Sequence, residues 1–339
     1  MTLDLPAPYL LFLGDVSEAP FAKTAFGIRD WARDLCVGEY ACSPDAISLD
    51  LPTLSPAEAA RQGARSMVIG VASFGGSLAP SWQPALLEAL EAGLDLVSGM
   101  HQRLADVPGL KAAADRLGRR LIDVRTPPAG LPTATGRKRS GRRLLTVGTD
   151  CALGKKYTAL AIARAFRDRG TDADFRATGQ TGIIIAGGGI PMDCVVSDFL
   201  AGAAETLSPD ADPAHWDVIE GQGALGHPTY AAVSLGLLHG SQPDVLVLCH
   251  QAGRKRILGL EDEFPLPDLM ATIAVNLRHA RLTNPAARCG GISLNTGHLS
   301  AEEAEHAMDQ ISRETRLPCA DPLRGGPRFE ALIDACLAE

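Results

Sequence analysis

A glycine-rich loop between two patterned segments constrains this chain most. The loop covers residues 148–156 (GTDCALGKK); it follows the apolar run 144–147 and precedes residues 157–166, whose apolar spacing predicts a helix. Strand, glycine loop and helix in this order are typical of a phosphate-binding loop, in which backbone N–H groups and the helix N-terminus surround phosphate oxygens while a lysine adds positive charge. The alternative is a glycine-rich turn that only joins strand to helix.

The residue after the loop lysine differs from that of nucleotide-hydrolysing P-loops. In those loops a Ser or Thr follows the lysine, and its hydroxyl holds Mg²⁺ on the terminal phosphates. Here Lys155 is followed by Lys156. A second cation at this position predicts a phosphate-bearing ligand that is bound without triphosphate-bound magnesium and is not hydrolysed, so we expect no metal.

The loop is also one residue longer than the common form. Five residues separate Gly148 from Gly154, whereas four are usual. This longer Gly-Thr-Asp form resembles the loop of dethiobiotin synthetase and its amide-forming relatives. Cys151 is either a thiolate stabilised by the helix N-terminus or a small residue that fits the turn. The predicted phosphate-binding residues are Gly148, Thr149, Asp150, Cys151, Gly154, Lys155, Lys156 and Tyr157.

Composition and charge narrow the class of protein. A chain of 339 residues with 46% hydrophobic residues is long enough for two globular domains. The N-terminus lacks a basic region, and its apolar run at 9–13 is too short for a signal or membrane segment, so we expect a cytoplasmic protein that does not bind membranes. A net charge of −8 disfavours nucleic acid as a partner. Eight scattered cysteines without a Cys-x-x-Cys pair argue against a zinc site and disulfides.

A basic cluster lies just before the strand that leads into the loop. Ligands of open α/β sheets bind at the carboxyl ends of strands, so this cluster is predicted at the opposite edge, as a solvated linker. Its members are Arg137, Lys138, Arg139, Arg142 and Arg143.

The chain divides into two α/β regions. Strand and helix patterns alternate between residues 9 and 124, which predicts a parallel sheet with covering helices, a Rossmann-like domain without a Gly-x-Gly-x-x-Gly fingerprint. Residues 126–136 are rich in Pro, Gly and Thr and predict a linker. The expected architecture is a Rossmann-like domain over residues 1–135, which offers helices for a homo-oligomer, followed by a P-loop NTPase-like parallel α/β domain over 136–339.

Polar residues follow the strands of the second region, where the carboxyl ends of parallel strands open onto one crevice. Glu220 ends an apolar strand and is predicted as a general base or as an anchor for an amine substrate; a buried structural salt bridge is the alternative. Arg176 is suited to a substrate carboxylate or to a structural ion pair. His227 is either a proton-transfer group or the residue that starts a helix. His250 falls in the same crevice.

The remaining candidates for substrate binding are also polar side chains beside glycines or strand ends. They are Gln180, Asp193, Gln222 and Arg254.

Four segments resemble the D-glutamate N-acetyltransferase family: 148–158, 174–182, 216–223 and 234–244. The resemblance covers the whole chain, with its specific signal between 145 and 255. It implies a Rossmann-like N-terminal half, a P-loop C-terminal half, and transfer of an acetyl group from acetyl-CoA to the amine of D-glutamate. The product, N-acetyl-D-glutamate, would pass to an N-acetyl-D-glutamate racemase.

The resemblance gives the loop and the crevice residues expected roles. The loop and Lys155 would bind the phosphates of coenzyme A without a metal. Glu220 or His227 would remove the ammonium proton, and amides of residues 221–223 would face the oxyanion. The two substrate carboxylates would be held by Arg176 and Arg254.

Two rival functions stay open on the sequence alone. An ATP-dependent amide-forming or ring-forming ligase like dethiobiotin synthetase is favoured by the Gly-Thr-Asp loop and disfavoured by Lys156. A non-catalytic protein that senses nucleotide or CoA would bind the same ligands without turnover.

Overall fold

The computed structural model describes residues 3–72, 74–260 and 264–338. The chain forms two compact units. Unit 1 consists of residues 1–127 and 180–191, and unit 2 consists of residues 128–179 and 192–339. Within the described ranges, no helix has both the length and the apolar sequence that a membrane crossing requires.

Unit 1 contains a five-stranded parallel sheet in the order β2-β1-β3-β4-β5. The central strands are apolar on both faces, because helices cover both sides of such a sheet. The strands are β1 (Tyr9–Gly14), β2 (Cys36–Ala41), β3 (Ser66–Ile69), β4 (Asp95–Ser98) and β5 (Leu121–Asp123). The helices that alternate with them are α1 (Lys23–Trp31), α2 (Pro56–Arg61), α3 (Gln83–Glu91) and α4 (Leu110–Leu117).

Unit 2 contains a six-stranded parallel sheet in the order β11-β10-β9-β6-β8-β7. Strand β6 is central, so the loop that follows it lies between the ends of β8 and β9. The strands are β6 (Arg142–Gly148), β7 (Ala173–Arg176), β8 (Trp216–Ile219), β9 (Val245–Gln251), β10 (Arg288–Asn295) and β11 (Cys319–Ala320).

The helices that follow β6 in sequence belong to both units. Helix α6 belongs to unit 1, and the others belong to unit 2. They are α5 (Lys155–Asp168), α6 (Gln180–Ala186), α7 (Leu200–Leu207), α8 (Ala231–Ser241), α9 (Leu269–Ala280), α10 (Ala301–Thr315) and α11 (Gly326–Leu337).

Helix α6 is an integral part of unit 1 although it comes from the later half of the chain. The hydroxyl oxygens of Thr181 on α6 and Thr24 on α1 lie 3.0 Å apart, and both residues are buried. The amide of Leu3 donates to the carbonyl of Gly187 at 3.0 Å. Unit 1 is therefore completed by a segment that follows the phosphate loop in sequence.

The expectation of a solvated basic linker before β6 is wrong for two of its residues. Arg139 and Arg143 are 7% and 1% exposed. The guanidinium of Arg143 donates to Oγ of Ser208 at 2.7 Å and to the carbonyl oxygens of Ser140 and Pro209 at 2.9 and 2.8 Å. These arginines are buried because their several donors satisfy acceptors in the turns at the amino end of the sheet.

Candidate active site

The predicted order of strand, glycine-rich loop and helix is confirmed: β6 ends at Gly148 and α5 begins at Lys155. Left-handed backbone at Ala152 (φ 55°) and Gly154 (φ 105°) turns the loop. Nζ of Lys155 crosses the loop and donates to the carbonyl oxygen of Asp150 at 2.8 Å. A β-carbon on Gly148 would lie 2.9 Å from the carbonyl oxygen of Asp150 and 3.0 Å from that ammonium group, so the close backbone approach favours glycine there.

The two lysines at the start of α5 have different surroundings. Lys155 is 7% exposed, and burial lowers the pKa of its ammonium group. Lys156 is half-buried, and its Nζ lies 4.9 Å from the centre of the Tyr157 ring. The loop therefore presents one sheltered and one more accessible cation.

Asp150 links the loop to the segment that follows β9. Its carboxylate is fully buried. Oδ2 accepts hydrogen bonds from Nη1 of Arg254 at 2.9 Å and from the amide of Leu258 at 2.8 Å, while Oδ1 accepts from the amide of Cys151 at 2.6 Å. Arg254 also donates to the carbonyl of Cys151 at 3.0 Å and to the side chain of Gln251. The guanidinium predicted to hold a substrate carboxylate thus pairs with a carboxylate of the protein.

The surroundings of Cys151 favour the interpretation that it is a small residue that fits the turn. Its side chain is half-buried, and burial raises the pKa of its thiol, while Lys155 acts in the opposite direction. The thiol form is favoured over a thiolate for that reason.

Glu220 directly follows β8 and lies beside the loop. It is 4% exposed, and its Oε2 accepts hydrogen bonds from the amides of Thr178 and Gly179, both at 3.0 Å. Burial raises the pKa of this carboxyl; the two amides and the charges of Lys156 and Lys155 oppose that rise. The carboxylate is held in place and is more basic than an exposed glutamate.

Gly179 allows a close approach between Glu220 and its surroundings. A β-carbon on Gly179 would lie 3.2 Å from Oε1 of Glu220 and 2.5 Å from Nε2 of Gln222. That amide nitrogen donates to Oγ1 of Thr178 at 3.1 Å. Thr178 and Gly179 were not among the predicted partners of Glu220. The available signal was a polar residue and a glycine two and three residues after the end of β7, which neighbours β8.

His227 lies against the loop with one nitrogen engaged. The residue is 2% exposed, and Nδ1 accepts a hydrogen bond from the amide of Thr229 at 3.1 Å. Nε2 lies 3.8 Å from Oδ1 of Asp150. A ring nitrogen of His227, a carboxylate oxygen of Asp150 and Sγ of Cys151 all lie within 4.8 Å of one another. Because Nδ1 is an acceptor, the neutral ring carries its proton on Nε2.

His250, at the carboxyl end of β9, contacts the loop from the other side. Its Nδ1 lies 2.9 Å from Oγ1 of Thr149. Burial, with a smaller contribution from Arg254, lowers the pKa of this imidazole to about 4. The ring is therefore neutral at physiological pH.

Three of the predicted substrate residues have other surroundings. Arg176 forms ion pairs with Asp217 at 2.6 Å and with Asp174 at 3.1 Å, which favours the structural ion pair that was its alternative. Gln180 is the first residue of α6 and belongs to unit 1. Asp193 is exposed in a short 3₁₀ turn.

The fold and the loop define a P-loop α/β protein with a Rossmann-like N-terminal unit. A family model described as a domain of unknown function, DUF1611_C P-loop domain, matches residues 132–332, and the DUF1611_N Rossmann-like domain matches residues 36–127. A crystal structure of a DUF1611 family protein from Anabaena variabilis has a TM-score of 0.87 and 34% identity, covering 98% of this chain and 99% of that one. The predicted fold class is confirmed.

Two curated relatives carry a functional name. A D-glutamate N-acetyltransferase from Pseudoalteromonas is 46% identical over 96% of this chain and 97% of its own length. A second D-glutamate N-acetyltransferase, from Tritonibacter scottomollicae, is 46% identical over 98% of this chain and 99% of its own length. The chain belongs to the D-glutamate N-acetyltransferase family, as the sequence motifs indicated.

Proposed function

We propose that this protein transfers the acetyl group of acetyl-CoA to the amino group of D-glutamate. The name of its relatives supports this proposal. The main observation in the site is that Lys156 occupies the position at which a nucleotide-hydrolysing loop has its magnesium-binding hydroxyl. Coenzyme A carries a diphosphate and a 3′-phosphate, which amides and ammonium groups bind without a metal. Its thioester is already activated, so acyl transfer needs no ATP.

The phosphate loop has the features that a CoA phosphate requires. The left-handed turn at Ala152 and Gly154 leads directly into α5, whose N-terminus adds the positive end of the helix dipole. Lys155 supplies a buried positive charge at the same place. We therefore assign the phosphate groups of the acyl donor to residues 148–157.

Glu220 is the general base in this proposal. The ammonium group of the amino acid must lose a proton before its nitrogen attacks the thioester carbonyl. The new C–N bond then forms, the C–S bond breaks, and the leaving CoA thiolate takes up the second proton that the acylated nitrogen loses. Glu220 is suited to the first step, because two backbone amides fix its carboxylate and burial raises its pKa.

Of the residues predicted to bind substrate, we keep Gln222 in that role, because it lies next to Glu220. Its side-chain amide donates to Oγ1 of Thr178, and this hydroxyl donates to the carbonyl oxygen of Glu220. Arg254 instead positions the loop through Asp150. We also propose that the product serves an N-acetyl-D-glutamate racemase.

Release of free thiol from acetyl-CoA tests the reaction. Purified protein is incubated with acetyl-CoA and a panel of D- and L-amino acids, and we expect thiol release with D-glutamate. Release of ADP from ATP, with no response to thioesters, would identify a ligase and reject the proposal.

Two variants test the assigned roles. Lys155→Ala should raise the KM for acetyl-CoA far more than that for D-glutamate, because it removes the loop's buried cation. Glu220→Gln should abolish transfer while CoA binding persists. Lys111→Ala, on an exposed side chain of unit 1, is the control and should leave both constants unchanged. If Lys155→Ala raised the KM for D-glutamate more than that for acetyl-CoA, the phosphates of CoA would bind somewhere other than this loop.

A further inference from the structure

We propose that His227 donates an Nε2–H hydrogen bond to a negatively charged oxygen of the acyl donor. This inference rests on the proposed use of acetyl-CoA and gives His227 a role other than that of a base. The oxygen is either a phosphate oxygen of CoA or the oxyanion that develops on the thioester carbonyl. Both have the same chemistry, and kinetics separates them.

The position of the ring proton follows from the partner of Nδ1. The amide N–H of Thr229 points at Nδ1 of His227 at 3.1 Å, so this nitrogen offers its lone pair. A neutral imidazole has one proton, which must then lie on Nε2. In this state Nε2 can donate a hydrogen bond but cannot accept a proton from an ammonium group.

The Nε2–H group lies in a sheltered place and lacks an acceptor within the described residues. Nε2 is buried and forms no hydrogen bond to any of them. Its distance of 3.8 Å to Oδ1 of Asp150 is too long for a hydrogen bond. A buried donor without an acceptor is destabilising, because it has lost its hydrogen bond to water. A ligand oxygen placed between Nε2 and the loop would remove that cost.

The charges around this position favour an anionic oxygen. Asp150 carries one negative charge, and Arg254 pairs with it at 2.9 Å. Lys155, whose Nζ donates to the carbonyl oxygen of Asp150 at 2.8 Å, adds a further positive charge. The three charged groups therefore sum to a positive site.

One of the backbone donors expected for an oxyanion is already engaged. The family resemblance implied that the amides of residues 221–223 face the oxyanion. The amide of Gly221 donates to Oγ1 of Thr146 at 2.9 Å instead. Nε2–H of His227 is a further donor beside the loop.

Three side chains at this position also have atoms that can ligate a metal ion such as Zn²⁺. Cys151, His227 and Asp150 each offer one such atom within 4.8 Å of the others. Binding through Nε2 of a neutral histidine would require the proton on Nδ1, where it would face the amide proton of Thr229. The hydrogen-bond pattern thus favours an anionic oxygen over a cation.

Two substitutions of His227 separate a donor from a base. The side-chain amide of His227→Gln can place an N–H near the position of Nε2, whereas His227→Ala places none. We expect His227→Ala to lower kcat/KM for acetyl-CoA by about tenfold or more and His227→Gln to recover most of that loss. The exposed His298→Gln is the matched control. The proposal is overturned if His227→Gln is as inactive as His227→Ala.

The kinetic constants identify the oxygen. If it is the oxyanion, His227→Ala lowers kcat and leaves the Kd of CoA unchanged. If it is a phosphate oxygen, the variant raises the Kd of CoA by about tenfold or more, as expected for a hydrogen bond to a charged group. Either result supports the proposal, and a variant that changes neither constant rejects it.

Two readouts do not depend on turnover. In ¹⁵N NMR of the wild-type protein we expect a protonated Nε2 and an unprotonated Nδ1 on His227; the opposite tautomer rejects the proposal. Titration with Zn²⁺ alone should show no stoichiometric site; binding that is lost in His227→Ala would overturn it in favour of a metal. Wild-type protein that cannot use acetyl-CoA would reject the proposed function, while the NMR result would still report on His227.

Discussion

Nη1 of Arg254 lies 2.9 Å from Oδ2 of Asp150, a carboxylate that is fully buried at the phosphate loop. Removing the guanidinium leaves that carboxylate with two amide partners and without the counter-ion that forms a hydrogen bond to it. We expect Arg254→Met to lower the free energy of unfolding by about 3 kcal/mol, the usual cost of breaking a buried ion pair. Urea unfolding at pH 7 measures this change.

A second substitution provides the control for this ion pair. Arg254→Met combined with Asp150→Asn removes both charges, so the double variant should be at least about 1 kcal/mol more stable than the sum of the single effects predicts. Strict additivity would show that the two side chains do not depend on each other.

Gly179→Ala should impair catalysis more than stability. The added methyl group would meet Nε2 of Gln222 at 2.5 Å and Oε1 of Glu220 at 3.2 Å. The flexible Gln222 side chain can move away, at the cost of its hydrogen bond to Thr178, about 1 kcal/mol. The displacement beside the base should lower kcat between about 10-fold and 100-fold.

The matched control for Gly179→Ala is a glycine with more room. A β-carbon on Gly297 would meet only Oδ1 of Asn295, at an ordinary 3.5 Å. Gly297→Ala should therefore keep kcat within about twofold. Equal losses in both variants would argue against a special role for the space beside Glu220.

His250 should make the protein less stable in mild acid. Its pKa is about 4 in the folded protein and about 6.5 in an unfolded chain. The unfolded state binds more protons between these values, so the contribution of His250 to stability is present above pH 6.5 and is lost as the pH falls toward 4. His250→Gln should show a smaller loss of unfolding free energy between pH 7 and pH 5 than wild type. An unchanged pH dependence would rule out His250 as a source.

Arg143 should contribute strongly to the free energy of unfolding although it lies in a basic cluster. Its side chain is 1% exposed and its donors satisfy several carbonyl oxygens. Arg143→Met leaves those acceptors unpaired, and we expect a loss of at least about 3 kcal/mol by thermal or urea unfolding. Arg137→Met is the control: its side chain is 74% exposed, so its effect should stay within about 0.5 kcal/mol.

The phosphate loop and its sheet could be predicted because their signals are local. The apolar run, the glycines and the following helix pattern lie next to one another in sequence, and the structure confirms β6 and the start of α5 at Lys155. The polar ends of β8 and β9 were also predictable, since parallel strands bring their carboxyl ends to one edge.

Partners that are distant in sequence could not be predicted in this way. Arg254 follows β9 and looked available for a substrate carboxylate, but it pairs with Asp150, which is 104 residues away. Arg143 looked like part of a solvated cluster, yet its acceptors include Pro209, 66 residues later. The sequence does not distinguish an arginine whose guanidinium is in solvent from one whose guanidinium is buried. Only the structure identifies the acceptors of its hydrogen bonds.

Helix α6 has a consequence for any attempt to express the Rossmann-like unit by itself. A fragment that stops at Pro127 would omit the helix whose Thr181 contacts Thr24. The buried face of α1 would then be exposed to water, and such a fragment should be poorly soluble. Adding residues 180–191 back as a tethered peptide, rather than shifting the cut along the linker, is the change that should restore it.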